Sequence, residues 1–258
     1  MTNDFEKSVS PSVWQASRSE LKYLDYQCFP CRMSDGGNTE VKKLREIVVE
    51  VWGDFACFTQ PYTKVERLTY SFPTPSAARR ILSAIYSKPK EFYYQVNRIE
   101  VLNPISFVSF KCNEVKSRIS SNLIDAEEDR TQRMTVALRD VRYRIASSIV
   151  PRPSFTGKEE QLYEQALRRI RTGKTYFQPS MGLRQFPAYF EESDGKTPPI
   201  DVNMDAGLMV YDVFDLHDDS VSKKAKPKLS LFHAVMEHGV VQIPPYDSAE
   251  VLKGAEVC

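Results

Sequence analysis

No apolar run in this chain of 258 residues approaches the roughly 18 residues of a membrane-crossing helix, which argues against a helical membrane protein. The N-terminal stretch MTNDFEKSVSPSVWQ lacks a cationic start followed by an apolar core, so it does not read as a secretion signal, and a cytoplasmic protein is expected. Histidine is scarce, with three in all. The five cysteines are odd in number and scattered, so they describe no disulfide framework. Cys28 and Cys31 form a CFPC, but Cys57, Cys112 and Cys258 each stand alone and supply no second half for a zinc site. No metal site is expected.

What is present is ordinary in bulk and uneven in distribution. A hydrophobic content of 41% with 27% charged residues suits a globular chain able to bury a core. The net charge of +1 conceals a division along the chain. Residues 46–189 carry 22 Lys+Arg against 15 Asp+Glu, whereas residues 190–258 carry 6 against 13. Only the middle of the chain is built to attract a polyanion.

Hydrophobic periodicity divides the chain into three parts: a polar extension (1–45), a body (46–192) and a C-terminal segment (193–258). In the body, REIVVEVWGDFACFT (45–59) is dense in β-formers and predicts a buried strand. SAARRILSAIYSKP (76–89) predicts a helix capped by Ser76 and stopped by Pro89, with Ala78, Ile81, Leu82 and Ile85 on one face. A strand is expected over 91–110, a polar hairpin or loop over 111–132, and a long strand over 133–150. FTGKEEQLYEQALRRIRTGK (155–174) predicts a second helix with Leu162, Ala166, Leu167 and Ile170 inward and Gly173 as C-cap. A further strand falls in 176–192, and strands in 206–216 and 229–244 predict a small antiparallel C-terminal sheet. The order is strand, helix, strand, strand, helix, strand. It predicts an α+β protein with a ferredoxin-like (RRM-like) βαββαβ body, whose sheet is a common platform for single-stranded RNA.

EVWGDFACFTQPYTKVERLTYSFPTPSAARRILSAIYSKP (50–89), VNRIEVLNPISF (96–107) and FHAVMEHGVVQIP (232–244) resemble the CRISPR-associated pre-crRNA endoribonucleases of subtype I-C systems, members of the RAMP superfamily. The resemblance runs from about residue 46 to the C-terminus. It implies a protein that binds the hairpin repeat of a CRISPR transcript, cuts at its 3′ base with neither metal nor cofactor, and stays on the 5′ handle of the crRNA. The implied partners are that RNA and the large and backbone subunits of a subtype I-C surveillance complex, with no membrane. The family's tyrosine closing the first helix falls on Tyr86, and its lysine opening the second falls on Lys158. Glu159 stands where the family has a histidine. Two readings follow: an endoribonuclease, or a non-cleaving subunit that caps the handle.

The chemistry gives each residue a task. Cleavage by the ribose 2′-OH needs a base, a proton for the leaving 5′-oxygen, and positive charge on the phosphorane. Lys158, at a helix N-terminus, suits the charge. Tyr86, with an ordinary pKa near 10, suits orientation of the hydroxyl. Glu159 can act in proton transfer, or can complete a Thr156-x-x-Glu159 capping box. For RNA binding the candidates are Lys64 and Arg67 after the first strand, Lys88 beside Tyr86, and Arg184 in PSMGLRQ near Gly182. Arg79 and Arg80 read equally as solubilising charge, and Tyr93 and Tyr94 as strand core or stacking surfaces. His217, His233 and His238 read as surface or satisfied histidines.

Overall fold

A computed structural model describes residues 45–63, 65–116, 125, 127–218 and 228–254. Cys28, Cys31 and Lys64 lie outside them. The fold is α+β: a mostly antiparallel sheet with two helices. Its strands are β1 (Glu46–Ala56), β2 (Arg67–Leu68), β3 (Phe92–Val101), β4 (Phe107–Val115), β5 (Arg130–Pro151), β6 (Tyr189–Glu192), β7 (Met204–Asp212), β8 (Ser230–Glu237), β9 (Val240–Gln242) and β10 (Leu252–Lys253). The helices are α1 (Pro75–Ile85) and α2 (Glu159–Arg171). The main sheet runs β10-β8-β9-β3-β5-β1-β6, so the stretch β6-β1-β5-β3 lies at its centre and edge. All its pairings are antiparallel, and only the short β2 lies parallel to β5.

β5 organises the rest. Its C-terminal half lies between β1 and β3, and its N-terminal half pairs with β4. The single strand expected over 91–110 is therefore two. After Val101 the chain breaks at Asn103-Pro104, where proline has no N–H for a ladder, and resumes as β4 against another part of β5. Asp140 takes a φ of 51° between the two halves, a conformation that aspartate tolerates. Its carbonyl accepts a hydrogen bond from Asn103 Nδ2 at 2.8 Å, which pins the bend to the crossing.

Both helices use the predicted faces. Ala78, Ile81, Leu82 and Ile85 of α1 are buried, as are Leu162, Ala166, Leu167 and Ile170 of α2. A helix of 11 residues does not persist alone in water. Burial worth about 1.5–3 kcal/mol for each large apolar side chain holds it on the sheet. The cap of α1 is Thr74 rather than Ser76. Its hydroxyl accepts from Ala77 N at 3.1 Å, and Pro75 occupies the first turn, where a missing N–H costs nothing. Gly173 ends α2 with a φ of 65°.

The C-terminal strands are antiparallel, as expected, and continuous with the body's sheet. β8 and β9 form a hairpin through His238 and Gly239, both with positive φ, and β9 pairs along β3. Among the described residues no helix is long and apolar enough to cross a membrane.

Candidate nucleic-acid interface

Tyr86 ends α1, and the residue is 0% exposed. Its ring stacks on Phe92 at 5.3 Å between centroids, and its carbonyl accepts from the Tyr94 hydroxyl at 3.0 Å. Tyr94 is thus core. The Tyr86 hydroxyl donates to Gln165 Oε1 of α2 at 2.6 Å, and the Lys88 ammonium lies near enough to act on it electrostatically. Glu91 accepts from Lys88 in turn, at 3.0 Å. Burial pushes the Tyr86 phenol above its ordinary value, while the nearby Lys88 ammonium pulls it down. The hydrogen bond to Glu91 raises Lys88. At neutral pH the phenol is therefore neutral with a cation nearby, suited to orienting a hydroxyl and unsuited to deprotonating one.

Lys158 is the exposed N-cap of α2, with its ammonium 5.1 Å from the centre of the Phe155 ring. Lys158, Leu162, Gln165 and Arg169 follow one another at helical spacing, so they share a stripe. Lys158 stands seven residues from Gln165, about 10 Å along the axis. The fold thus aligns Lys158 and Tyr86 along one helix without bringing them into contact.

Glu159 is engaged locally, though not in the expected box. Its carboxylate accepts from Gly157 N at 2.9 Å, and the Thr156 hydroxyl donates to Pro153 O at 3.0 Å instead of capping the helix. The reason is conformational. Gly157 has a φ of 90°, so the chain turns between Thr156 and the helix and moves the threonine off the N-cap position.

Of the other candidate cations, Arg67 is paired with Glu114, which Arg133 also approaches at 3.3 Å. Arg184 is exposed and has no hydrogen-bond or ion-pair partner among the described residues. The turn that carries it is set by Gly182, whose φ is 82° and where a Cβ would lie 2.0 Å from Cys57 O, so the glycine serves close backbone packing. Arg79 is ion-paired with the buried Asp212, whereas Arg80 is exposed with no partner among the described residues. Each histidine sits beside an aspartate: His217 with Asp247 at 2.8 Å, His233 with Asp205 at 2.9 Å and His238 with Asp201 at 2.6 Å.

The sheet face turned away from the helices does not resemble an RNA platform, and Glu50, Glu100 and Arg144 on it are buried. Arg98 bonds Glu46 and Glu100, Arg144 bonds Glu100 and approaches Glu50 at 3.5 Å, and Arg142 bonds Glu50 and approaches Glu191 at 3.4 Å. Four carboxylates outnumber three guanidinium groups, and the charge is spent internally. Alternation alone does not reveal this face, because pairing across strands decides which charges meet.

Three residues around Tyr86 escaped the sequence reading: Gln165, Arg169 and Tyr176. Gln165 was accessible in principle through its i+7 relation to Lys158. Tyr176 carried no signal, because only the tertiary fold returns residue 176 to the end of α1, where its backbone N–H donates to Ala84 O at 2.8 Å.

A mostly antiparallel sheet, with two helices on its apolar face and a fixed tyrosine bonded to the helix that carries Lys158 and Arg169, defines an α+β protein. A family model described as CRISPR-associated protein (Cas_Cas5) matches residues 46–244. The chain is 36% identical over 217 residues to the CRISPR pre-crRNA endoribonuclease Cas5d of Thermus thermophilus, covering 78% of this chain and 92% of that one. It is also 36% identical over 229 residues to the protein of the same name from Mannheimia succiniciproducens, covering 80% and 97%. A crystal structure of a CRISPR-associated protein shares the fold, with a TM-score of 0.57 and 23% identity over 81% of this chain and 96% of that one. The chain belongs to the Cas5d family of CRISPR-associated proteins, the subtype I-C group that its sequence resembles.

Proposed function

We propose that this chain is a metal-independent endoribonuclease that recognises the hairpin repeat of a CRISPR transcript, cuts it, and remains on the 5′ handle of the crRNA. The names of the two curated relatives support the activity. The order β6-β1-β5-β3, with α1 and α2 following β1 and β5, supports a ferredoxin-like body spanning 46–192, to which 193–258 adds strands at the β3 edge. The protein works in the cytoplasm with the large and backbone subunits of a subtype I-C surveillance complex.

One observation carries the assignment of Tyr86 and Lys158 as the active pair. The Tyr86 hydroxyl is fixed on Gln165 of α2, the helix whose start carries Lys158, and the Lys88 ammonium lies nearby. Tyr86 is buried, so RNA reaches the phenol only when a covering side chain moves aside. The phenol then orients the 2′-OH, and the Lys158 ammonium with the free N–H groups of the helix start stabilises the charge on phosphorus. Lys88, Arg184, Lys64 and Arg67 are proposed phosphate contacts, with Arg67 acting only once it leaves Glu114.

The second reading is a non-cleaving subunit that caps the handle. The carboxylate of Glu159 on Gly157 N–H favours it, because an ionised group bonded to backbone is a poor proton donor to a leaving oxygen. Incubation of the purified chain with its repeat RNA in EDTA separates the two. Product ending in a 2′,3′-cyclic phosphate is expected. Tight binding without product, even with excess protein, overturns cleavage and leaves capping.

A further inference from the structure

Beside Tyr86 lies an aromatic surface that the cleavage chemistry does not use. Tyr176 is 51% exposed and so is Phe177, whereas the neighbouring rings of Tyr86 and Phe92 are buried. The Arg169 guanidinium lies 4.2 Å from the centre of the Tyr176 ring and 5.6 Å from that of Tyr86. The two rings are 6.5 Å apart and inclined by only 19°. One guanidinium therefore backs two nearly parallel rings.

The surface is held rigid. Arg169 Nη1 donates to Ile85 O at 3.3 Å, and the N–H groups of Tyr176 and Phe177 both point at Ala84 O, at 2.8 and 3.5 Å. A flexible loop that happened to expose a tyrosine would have no such anchors. Nearby charge is positive. Lys174, two residues before the ring, and Arg168, beside Arg169, are exposed and unpaired among the described residues. The molecule has another aromatic–guanidinium layer, in which Trp52 stacks on Tyr189 at 6.2 Å and Arg142 lies 5.3 Å over Trp52. That layer sits on Glu50 and Glu191, which repel a phosphate backbone.

We infer that Tyr176, backed by Arg169 and flanked by Phe177, is a stacking site for one unpaired nucleobase of the bound RNA, and that it fixes the strand whose neighbouring ribose meets Tyr86. The inference rests on the RNA-binding reading above and adds to it the residue that orders the strand. Every base has a π face, so an aromatic ring with a cation behind it stacks bases without regard to their identity.

The test uses the full chain and a repeat RNA hairpin with single 2-aminopurine substitutions scanned through its unpaired nucleotides, since stacking quenches this fluorophore. Binding of the unaltered chain is expected to quench at least one position. Tyr176→Phe keeps the quench. Tyr176→Leu retains apolar cover over Tyr86 but has no π face; it abolishes the quench and weakens binding about 5- to 150-fold. Thermal melts of both variants show whether the fold is kept. A Tyr176→Leu protein that melts, binds and quenches like the unaltered chain overturns the stacking site while leaving hairpin recognition intact. Conversely, a chain that ignores the hairpin yet quenches an unstructured 2-aminopurine oligonucleotide through Tyr176 refutes the repeat-RNA reading and keeps the stacking site. No binding to either probe refutes both.

Discussion

Arg79 sits on α1 four residues after its first residue, and its guanidinium pairs with Asp212 at the end of β7. The Asp212 side chain is 2% exposed, while that of Arg79 is 21% exposed. Replacing Arg79 with alanine leaves a carboxylate out of water with two backbone donors, Val213 N at 2.7 Å and Phe214 N at 3.0 Å. Removing one partner of a buried pair costs about 3–5 kcal/mol. The two surviving hydrogen bonds and the partial exposure of Arg79 reduce this to about 2–3 kcal/mol. The loss depends on pH with a definite sign. Burial raises the Asp212 pKa above its ordinary value, and Arg79 opposes that rise. A carboxyl whose folded pKa exceeds its unfolded one destabilises the fold when ionised. The penalty is absent below the unfolded value of 3.8 and complete above the folded value. Without Arg79 the folded value climbs further, so the deficit of the variant grows as pH rises through that window. The neighbouring phenols of Tyr211 and Tyr246, pushed up to about 12, stay neutral and add no slope. Urea unfolding of Arg79→Ala and the unaltered chain at about pH 5 and about pH 8 measures both magnitude and slope. A loss below about 0.5 kcal/mol, or one that does not change with pH, refutes the argument and returns Arg79 to the ordinary surface. Arg80→Ala, with nothing to break, leaves stability unchanged.

Tyr86→Phe is expected to lower cleavage at least about 100-fold while keeping affinity for the repeat, read by gel-based cleavage and filter binding; unchanged cleavage removes Tyr86 from the site. Lys158→Ala abolishes cutting and flattens the log–log salt dependence of RNA binding by about 0.7–0.9, and an unaltered slope means that Lys158 touches no phosphate. Glu159→His raises the cleavage rate if the altered corner limits it, and Glu159→Ala lowers stability by about 0.5–1 kcal/mol through loss of the bond to Gly157. Gly182→Ala costs about 2 kcal/mol or more, because it combines positive φ with a clash on Cys57 O; a melt within a degree or two of the unaltered chain contradicts the close approach.

The two helices were legible because an apolar stripe at 3.6-residue spacing is a local property, and so was β5, whose length and β-branched residues stand out in a window. Tyr86 and Lys158 came from family likeness, since one tyrosine and one lysine carry no pattern of their own. The break after Val101 was harder to see, because alternation continues on both sides of Asn103-Pro104 and one apolar pattern serves two different partner strands. The capping box at Thr156 failed for a related reason. The motif describes spacing, and the positive φ of Gly157 redirected the chain within it.

Composition and periodicity by themselves determined the α+β class, the inward faces of both helices and the basic middle of the chain, since each depends on neighbours a few residues apart. Only the tertiary structure decided which charges remain available to RNA. Arg67, Arg79, Arg98, Arg142 and Arg144 look alike in the sequence as free cations, and each meets a carboxylate from a distant segment or across a strand. It also built the surface around Tyr86, where Gln165, Arg169 and Tyr176 arrive from beyond the second helix start. Ion pairing and stacking act through space, and their partners are chosen by the fold, not by order along the chain.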